Sequence, residues 1–242
     1  MQGSGQPDRL FEKAFVDAEA APDVMAAVLA VRDAYGVDNV TYHLGQLPAI
    51  AVDGPYVKST YPAEWLTRYL IRGYTRVDPV VIEGFSRTLP FDWRDLAMTE
   101  AATELFADFV AHGLSAHGYS VPIVDRNRRR ALFSVNAAMD EESWDAFVSR
   151  HRPGWMELAH LLHRKAMTEI FGEGIEIPNL TPREMEALIL TADGKSAKEI
   201  GRKLGISSRT VEAYLVSARH KLNAENTVKA IAKAVKLRII NI

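Results

Sequence analysis

Apolar side chains recur at helical spacing over most of the chain, and shorter stretches alternate between apolar and polar residues. The helical pattern predicts helices at 8–19, 23–35, 62–73, 100–114, 141–150 and 155–171. The alternating pattern predicts strands at 39–44, 48–52, 56–60, 120–124 and 131–137, with a charged turn at 125–130 joining the last two into a hairpin. Together they predict an α+β fold whose N-terminal part is an α/β/α sandwich with a five-stranded, mostly antiparallel sheet, a type that holds small molecules.

The last quarter of the chain opens with two signals for the start of a helix. Thr181 and Glu184 stand at the spacing of a capping box, and Pro182 occupies the first helical position, where a helix tolerates proline. A second box follows at Ser196 and Glu199. Apolar residues at helical spacing follow each box, so each predicts a short amphipathic helix.

A third helix follows a glycine turn at Gly205 and is capped by Ser207. Its buried stripe is predicted to be Val211, Leu215, Ala218 and Leu222. Two short helices joined by a tight turn form a helix-turn-helix, and a last helix completes a predicted all-α, four-helix domain. The opposite face carries Arg209 and Glu212, which can pair with guanine and cytosine edges in a major groove. Periodicity alone is equally compatible with a solvated helix in a small bundle.

Charge divides the chain at the same place. Residues 179–242 contain 12 Lys+Arg and 6 Asp+Glu, a balance of +6. The other residues contain 17 and 25, a balance of −8, and the two parts sum to the net −2. A basic C-terminal domain joined to an acidic one is typical of a DNA-binding module.

Composition excludes several classes of protein. The chain has no cysteine, so disulfides, thiol catalysis and thiolate metal sites are excluded. It starts with no apolar signal segment and contains no run of membrane-spanning length, so we expect a cytoplasmic protein without membrane contact. Two glycines and a proline interrupt the helical pattern at 172–179. We therefore predict domains at 1–171 and 180–242 with 172–179 as the linker.

The C-terminal residues resemble the LuxR-type DNA-binding domain. The resemblance rests on Leu180-Thr-Pro-Arg-Glu184, Gly194-Lys-Ser196, Glu199-Ile200, Leu204-Gly-Ile-Ser207, Arg209-Thr-Val211 and Lys221-Leu222, which match in order and spacing. Tyr214 departs from the family pattern, which usually has His there, and Asn223 stands where Gly is usual. Candidate DNA contacts are the residues of the groove face and the nearby cations: Lys195, Lys198, Lys203, Ser207, Ser208, Arg209, Thr210, Glu212, Ala213, Val216, Arg219, His220 and Lys221.

A second constellation resembles the autoinducer-binding domain of LuxR-type quorum-sensing receptors. It consists of Tyr61, Trp65, Tyr69, Asp78-Pro79, Pro90-Phe91-Asp92-Trp93 and Gly118. The resemblance implies an N-acyl-homoserine lactone as ligand and no other cofactor. The candidate ligand-binding residues are Tyr61, Trp65, Tyr69, Asp78, Trp93, Phe106 and Ser134.

These residue types suit the chemistry of such a lactone. The Trp65 indole can only donate, which suits the lactone carbonyl, and an ionised Asp78 can only accept, which suits the amide N–H. Tyr61 and Ser134 can donate to the acyl carbonyl. Phe106 can wall the acyl tail together with Trp93, Phe91 and Phe109, although Phe106 and Phe109 also suit an ordinary aromatic core.

The resemblance also implies partners. A helix-turn-helix protein reads a two-fold symmetric operator as a homodimer, with half-sites about 10 bp apart on double-stranded DNA. A transcriptional regulator of quorum sensing also contacts RNA polymerase. The stripe Trp155, Leu158, Leu162 and Ala166 is expected to carry more of the subunit contact than the stripe Val228, Ile231, Ala232 and Val235 of the last helix. Both stripes could also be intramolecular core, and for the last helix that is nearly as good an interpretation. The acyl group, the operator sequence and the direction of regulation stay open.

Other functions fit the sequence less well. No His-Glu-x-x-His, Gly-x-Ser-x-Gly or glycine-rich phosphate motif occurs, so we do not expect an enzyme. Glu157, His160 and His163 are spaced three apart, but each step of three turns backwards around a helix and separates the outer pair, so no metal site is expected. A phosphorylation-driven receiver domain is also disfavoured, because the first predicted strand ends in Gly45-Gln46 rather than in paired acidic residues.

Overall fold

The computed structural model describes residues 8–45, 56–126, 129–172, 178–237 and 239–240. The chain divides into an N-terminal unit, which includes 8–45, 56–124 and 130–172, and a second unit, which includes 178–237 and 239–240. Each unit buries an apolar core of its own.

The N-terminal unit is built on one antiparallel sheet. In chain order its elements are α1 (Arg9–Ala20), α2 (Val24–Tyr35), β1 (Asn39–Leu44), β2 (Tyr56–Ser59), α3 (Ala63–Ile71), α4 (Pro79–Gly84), β3 (Phe91–Asp92), α5 (Glu100–Ala111), β4 (Gly118–Val124), β5 (Arg130–Asn136) and α6 (Glu141–Phe171). The strands lie in the order β2-β1-β5-β4-β3, and every neighbouring pair is antiparallel. The predicted mixed fold with a five-stranded antiparallel sheet is therefore confirmed.

The fifth strand is not the one that the pattern predicts. β3 has only two residues, which is too short to show alternation, and it pairs Phe91 with Ser120 of β4. The predicted strand at 48–52 lies outside the described residues. Helix α4 is also missing from the prediction, although Asp78 caps it and Pro79 takes its first position.

The last helix of this unit is one helix of 31 residues, so the predicted break between 150 and 155 is wrong. Pro153 lies inside it and removes one backbone hydrogen bond. Trp144 and Trp155, on either side of the proline, are both fully buried in the same core. Burial of the two rings compensates for the missing bond. Among the described helices, none is both long and apolar enough to cross a membrane.

The main core lies between one face of the sheet and α1, α2 and α6. Its largest fully buried side chains include Tyr42, Phe133, Trp144, Trp155, Leu158 and Leu162. Trp155, Leu158, Leu162 and Ala166, which we expected to form a subunit contact, all have an exposed fraction of 0% within their own unit. That expectation is wrong, because the sheet, α1 and α2 already cover the stripe.

The second unit consists of α7 (Pro182–Ala192), α8 (Ala197–Leu204), α9 (Ser208–Lys221) and α10 (Thr227–Lys236). Both predicted capping boxes are present. Glu184 accepts from the Thr181 N–H at 2.6 Å, and Glu199 accepts from the Ser196 N–H at 2.8 Å. In each box the hydroxyl of the capping residue also accepts a backbone N–H of the first turn. The predicted buried stripe of α9 packs into the cores of this unit.

Two backbone positions shape this unit. Gly201 lies against the turn between α8 and α9, where an added Cβ would stand 2.7 Å from the Ile206 carbonyl oxygen. Asn223, which replaces the glycine usual in the family, adopts a left-handed φ of 46° just after α9. Asparagine enters this conformation more readily than most non-glycine residues. Asn223 can therefore end α9 with the left-handed backbone that a glycine would supply.

Candidate functional site

The second face of the sheet carries an aromatic cluster. Its buried members are Trp65, Val80, Phe91, Trp93, Leu96, Phe109 and Leu132, and Tyr61, Tyr69, Tyr74, Phe85, Phe106 and Leu114 pack against them. Most come from α3, α4, α5 and the segments next to them. The predicted ligand-binding aromatics therefore all lie in one cluster, separate from the main core.

Trp65 lies near the middle of the aromatic contacts of this cluster. It shares a face of α3 with Tyr69, one turn later, and is 4% exposed. Its ring stacks on Tyr74 at a centroid distance of 6.1 Å and makes a T-shaped contact with Phe109 at 5.1 Å. Among the residues that the structure describes, the indole N–H donates no hydrogen bond, so it is available to a carbonyl oxygen.

Asp78 is connected to Trp65 through Tyr69. The Tyr69 hydroxyl donates to Asp78 Oδ2 at 2.7 Å, and the Val80 N–H donates to Asp78 Oδ1 at 2.8 Å. Burial raises the pKa of Asp78 above its ordinary value, and these hydrogen bonds lower it only in part. Each carboxylate oxygen can accept a second bond, so Asp78 retains capacity for a ligand N–H.

An ion pair fixes the distance between α3 and α5 beside this cluster. Arg68 donates to both oxygens of Asp108 at 2.6 and 2.7 Å, and the Tyr74 hydroxyl donates to Asp108 Oδ2 at 2.7 Å. The bond from Arg68 is the main reason that the pKa of Asp108 falls to about 2. Tyr74 is therefore held in place at its hydroxyl and stacks its ring on Trp65.

Trp93 and Ser134 are joined by Ser120. The Trp93 indole N–H donates to Ser120 Oγ at 2.8 Å, and Ser120 Oγ lies 2.8 Å from Ser134 Oγ. The Trp93 ring packs on Gly118, where an added Cβ would stand 2.3 Å from the ring. Gly118 thus has a steric role, because any side chain there would displace Trp93.

Tyr61 and Phe106 both contact Phe109. The Tyr61 ring is 5.6 Å from Phe109, and Phe106 is 6.1 Å from both Phe109 and Trp93. Burial raises the pKa of Tyr61, so its hydroxyl remains protonated and can donate at any physiological pH.

Some residues at this site did not appear in the prediction. They are Thr41, Ser59, Tyr74 and Ser120. Thr41, Ser59 and Ser120 occupy strand positions whose side chains face this side of the sheet. Thr41 and Ser120 each stand between two apolar residues of the main core, so strand alternation was a usable signal for them. Ser59 stands between Lys58 and Thr60 and gave no such signal, and the position of Tyr74 depends on a turn between α3 and α4.

The second unit presents the exposed face of α9. Arg209, Glu212, Ala213, Val216 and His220 are exposed on it, together with Ser208 at its start. Ser207 caps the helix by accepting from the Thr210 N–H at 3.0 Å, and its hydroxyl lies 2.7 Å from Thr210 Oγ1. Lys198 and Lys203 of α8 are exposed, whereas Lys195 and Arg219 are partly buried. This face combines cations, hydroxyls and small apolar groups, which suits a major groove.

Glu184 fixes α9 against α7. It is 3% exposed and accepts from Ser217 Oγ at 2.6 Å and from Lys221 Nζ at 2.8 Å. Burial tends to raise the pKa of Glu184, but the bonds from Lys221, Ser217 and Thr181 together lower it. Lys221, predicted to attract phosphate, is thus paired within the unit, and its side chain remains 37% exposed.

Of the three side chains whose spacing suggested a metal site, one contacts a tyrosine and two are exposed. His163 Nδ1 lies 2.8 Å from the Tyr42 hydroxyl, and His160 and Glu157 are exposed. Within the described parts of the chain, no group of three His, Cys, Asp or Glu side chains is placed to hold a metal ion.

Two family models match this chain, one over each unit. The autoinducer binding domain matches residues 21–166, and the luxR family of bacterial regulatory proteins matches residues 178–234. The first match alone covers more than half of the chain and contains every residue of the aromatic cluster. The second contains all of α7, α8 and α9.

Similar proteins agree with these matches. The transcriptional activator RaiR of Rhizobium etli is 34% identical over 72% of each chain. The quorum sensing-dependent regulator VjbR of Brucella abortus is 28% identical over 96% of this chain and 93% of its own. Escherichia coli SdiA shares the fold over 95% of this chain and 97% of its own, with a TM-score of 0.55 at 20% identity. The chain therefore belongs to the LuxR family of bacterial transcriptional regulators that carry an autoinducer-binding domain.

Proposed function

We propose that residues 1–171 bind an N-acyl-homoserine lactone and that residues 180–242 bind an inverted-repeat DNA operator, with 172–179 as the linker. The protein acts as a homodimer, since two-fold operators require two helix-turn-helix units. It works in the cytoplasm as a regulator and not as an enzyme. RaiR and CarR are named transcriptional activators, which favours activation through contact with RNA polymerase.

One observation carries the ligand proposal. A free donor, the Trp65 indole N–H, and a carboxylate acceptor, Asp78, are linked by Tyr69 within an apolar aromatic cluster. A ligand that matches them has an acceptor and a donor close together and an apolar remainder. A lactone carbonyl beside an amide N–H, followed by an acyl tail, has this arrangement.

The other predicted residues complete the fit. Tyr61 and Ser134 donate to the acyl carbonyl, and Phe106 and Trp93 contact the tail. Tyr69 fixes the Asp78 carboxylate through its hydroxyl, which donates at 2.7 Å. A hydrogen bond that involves a charged group contributes about 1.5–3 kcal/mol, so the Asp78 contact is expected to be the strongest of the polar ones.

The raised pKa of Asp78 links the ligand to stability. Because burial disfavours the carboxylate, its charge costs stability as the pH rises through the raised folded pKa, and this cost is absent below the ordinary pKa. A ligand N–H offsets part of the cost near neutral pH. Ligand at a hundredfold excess over Kd adds about 2.7 kcal/mol to the stability of the folded domain. The lactone thus stabilises the N-terminal domain and, through it, the DNA-binding dimer.

Melting temperature measured with the full chain tests the ligand assignment. The probes are a series of acyl-homoserine lactones and octanoyl-rac-glycerol, the compound bound in one SdiA structure. Lactones should raise Tm in wild type and raise it much less in Asp78→Asn, whereas Asp95→Asn, the same change at an exposed position, should respond as wild type. A full response of Asp78→Asn would exclude the amide contact, and a response to the glycerol ester alone would exclude a lactone ligand.

Operator selection followed by quantitative binding tests the DNA assignment. Arg209→Ala should relax the preference at one base position at a cost of about 1–3 kcal/mol. Lys203→Ala should weaken binding to all sequences alike and reduce its salt dependence. Equal losses on operator and random DNA for Arg209→Ala would remove Arg209 from base reading.

A further inference from the structure

Four hydroxyl residues form a row across the sheet beneath the aromatic cluster. The strand register places Ser59 opposite Thr41, Thr41 opposite Ser134, and Ser134 opposite Ser120. Residues directly opposite each other on neighbouring strands project on the same face. This hydroxyl row, Ser59-Thr41-Ser134-Ser120, therefore faces the same side as Leu132 and Phe91, which belong to the aromatic cluster.

The row consists of two hydrogen-bonded pairs of hydroxyl groups. Thr41 Oγ1 lies 2.7 Å from Ser59 Oγ, and Ser134 Oγ lies 2.8 Å from Ser120 Oγ. Across the described residues, no side-chain hydrogen bond joins Thr41 to Ser134, although their strands pair at that position. Each pair uses one of its two O–H groups internally, so each pair keeps one donor that no described residue accepts.

Aromatic side chains are present at both ends of the row and between them. Tyr61 follows Ser59 closely, and its N–H donates to Ser59 Oγ at 3.3 Å. At the other end, Trp93 donates to Ser120. Phe109 contacts both rings, at 5.6 Å from Tyr61 and 6.4 Å from Trp93. Ser134 and Ser120 are buried and Thr41 and Ser59 are half-buried on this face, so an unpaired donor in the row is costly.

We propose that Thr41, paired with Ser59, is a second oxygen-binding point beside Ser134 and that this chain selects acyl groups with an oxygen atom on the third carbon. The inference rests on the proposed function, in which Ser134 donates to the acyl carbonyl. Thr41 is the next hydroxyl along the row from Ser134, in the direction away from Trp93. The acyl group that fits this sheet carries two oxygens near one end and is apolar beyond them.

The spacing of the donors suits a 1,3-oxygenated acyl chain. Side chains directly opposite each other on antiparallel strands have Cβ atoms about 5 Å apart. A 3-oxo or 3-hydroxy acyl amide carries its two oxygens on carbons separated by one methylene, so both can face neighbouring donors. An unsubstituted chain places a methylene against the second pair and leaves its O–H unpaired. A site built to bond an oxygen discriminates against the analogue that lacks it.

Matched ligands test this inference on the full chain. The probes are unsubstituted, 3-oxo and 3-hydroxy acyl-homoserine lactones at butanoyl, octanoyl and dodecanoyl lengths, with Kd measured by calorimetry. At the length that binds best, the oxygenated forms should bind about three- to tenfold more tightly than the unsubstituted form. Thr41→Val should bring this ratio close to one, and Thr41→Ser should preserve it. Thr103→Val, the same exchange at an exposed site on α5, should leave the ratio as in wild type.

The outcomes separate this inference from the function on which it rests. If wild type binds oxygenated and unsubstituted lactones equally, or if Thr41→Val weakens all forms by the same factor, Thr41 does not select the third carbon. If no lactone binds at any length, the proposed function itself is wrong. Thr41→Ala provides a second removal of the hydroxyl if Thr41→Val does not fold, which the ligand-free Tm reports.

Discussion

Replacing Glu184 with alanine should loosen α7 and α9 far more than the same change at Glu199 loosens α8. The two glutamates occupy the same position of two capping boxes. Glu199 is exposed, and among the described residues its side chain bonds only within its own box, to the N–H and hydroxyl of Ser196. Glu184 is buried and also accepts from Ser217 and Lys221 of α9.

The structure sets the size of the Glu184 effect. A hydrogen bond to a charged group contributes about 1.5–3 kcal/mol when its partner would otherwise be left unsatisfied. Lys221 is half-exposed, so water can replace most of its lost bond. The bonds from Ser217 and the Thr181 N–H are not replaced as easily. We therefore expect Glu184→Ala to lower the free energy of unfolding of this unit by about 3 kcal/mol.

The pH dependence provides an internal check. Because its partners lower the pKa of Glu184 below the ordinary 4.5, its contribution is fully present above that value. The contribution is lost as the pH falls through the lower folded pKa. Glu184→Gln should therefore be less stable than wild type at neutral pH, and the difference should shrink in acid.

Hydrogen exchange followed by mass spectrometry measures the effect in the full chain. All four tryptophans lie between residues 65 and 155, so their fluorescence reports only whether the N-terminal unit is intact. Peptides from α7 and α9 should exchange roughly a hundredfold faster in Glu184→Ala than in wild type. Equal acceleration by Glu184→Ala and Glu199→Ala would refute the reasoning, since the contacts to α9 would then add nothing.

Three further substitutions have clear expectations. Leu158→Asp should unfold the N-terminal unit, because it buries an unpaired charge at a cost of about 4 kcal/mol or more. Met156→Asp, at an exposed position of α6, should keep the tryptophan fluorescence of wild type. A folded monomer from Leu158→Asp would contradict this expectation. Gly118→Ala should displace Trp93 and raise the Kd for the lactone at least tenfold, a loss of about 1.4 kcal/mol of binding free energy. Calorimetry measures this change, and an unchanged Kd would show that the Trp93 ring adapts. Gly201→Ala should force the turn before α9 apart, lowering the melting temperature of the second unit and operator affinity together; loss of neither would show that the turn can shift.

The features of this protein that can be predicted from its sequence depend on local interactions. Thr181 and Ser196 begin their helices by bonds to residues three positions away, and Ser207 caps α9 in the same way. Such bonds form within one turn of chain, so their residue types and spacing suffice to predict them. Strand alternation and the spacing of Trp65 and Tyr69 on α3 also depend only on backbone geometry.

Contacts between distant segments decided the rest. In sequence, the stripe that contains Leu158 can be an interface or a core, and it is a core because the sheet, α1 and α2 pack against α6. β3 is recognisable as a strand only through its pairing with β4. Thr41, Ser134 and Ser120 form one row because their strands pair in a particular register, across nearly one hundred residues of chain. The two capping boxes look alike in sequence, but Glu184 alone reaches α9. Burial and strand register depend on which surfaces meet, and side-chain pattern within one segment does not specify its partner.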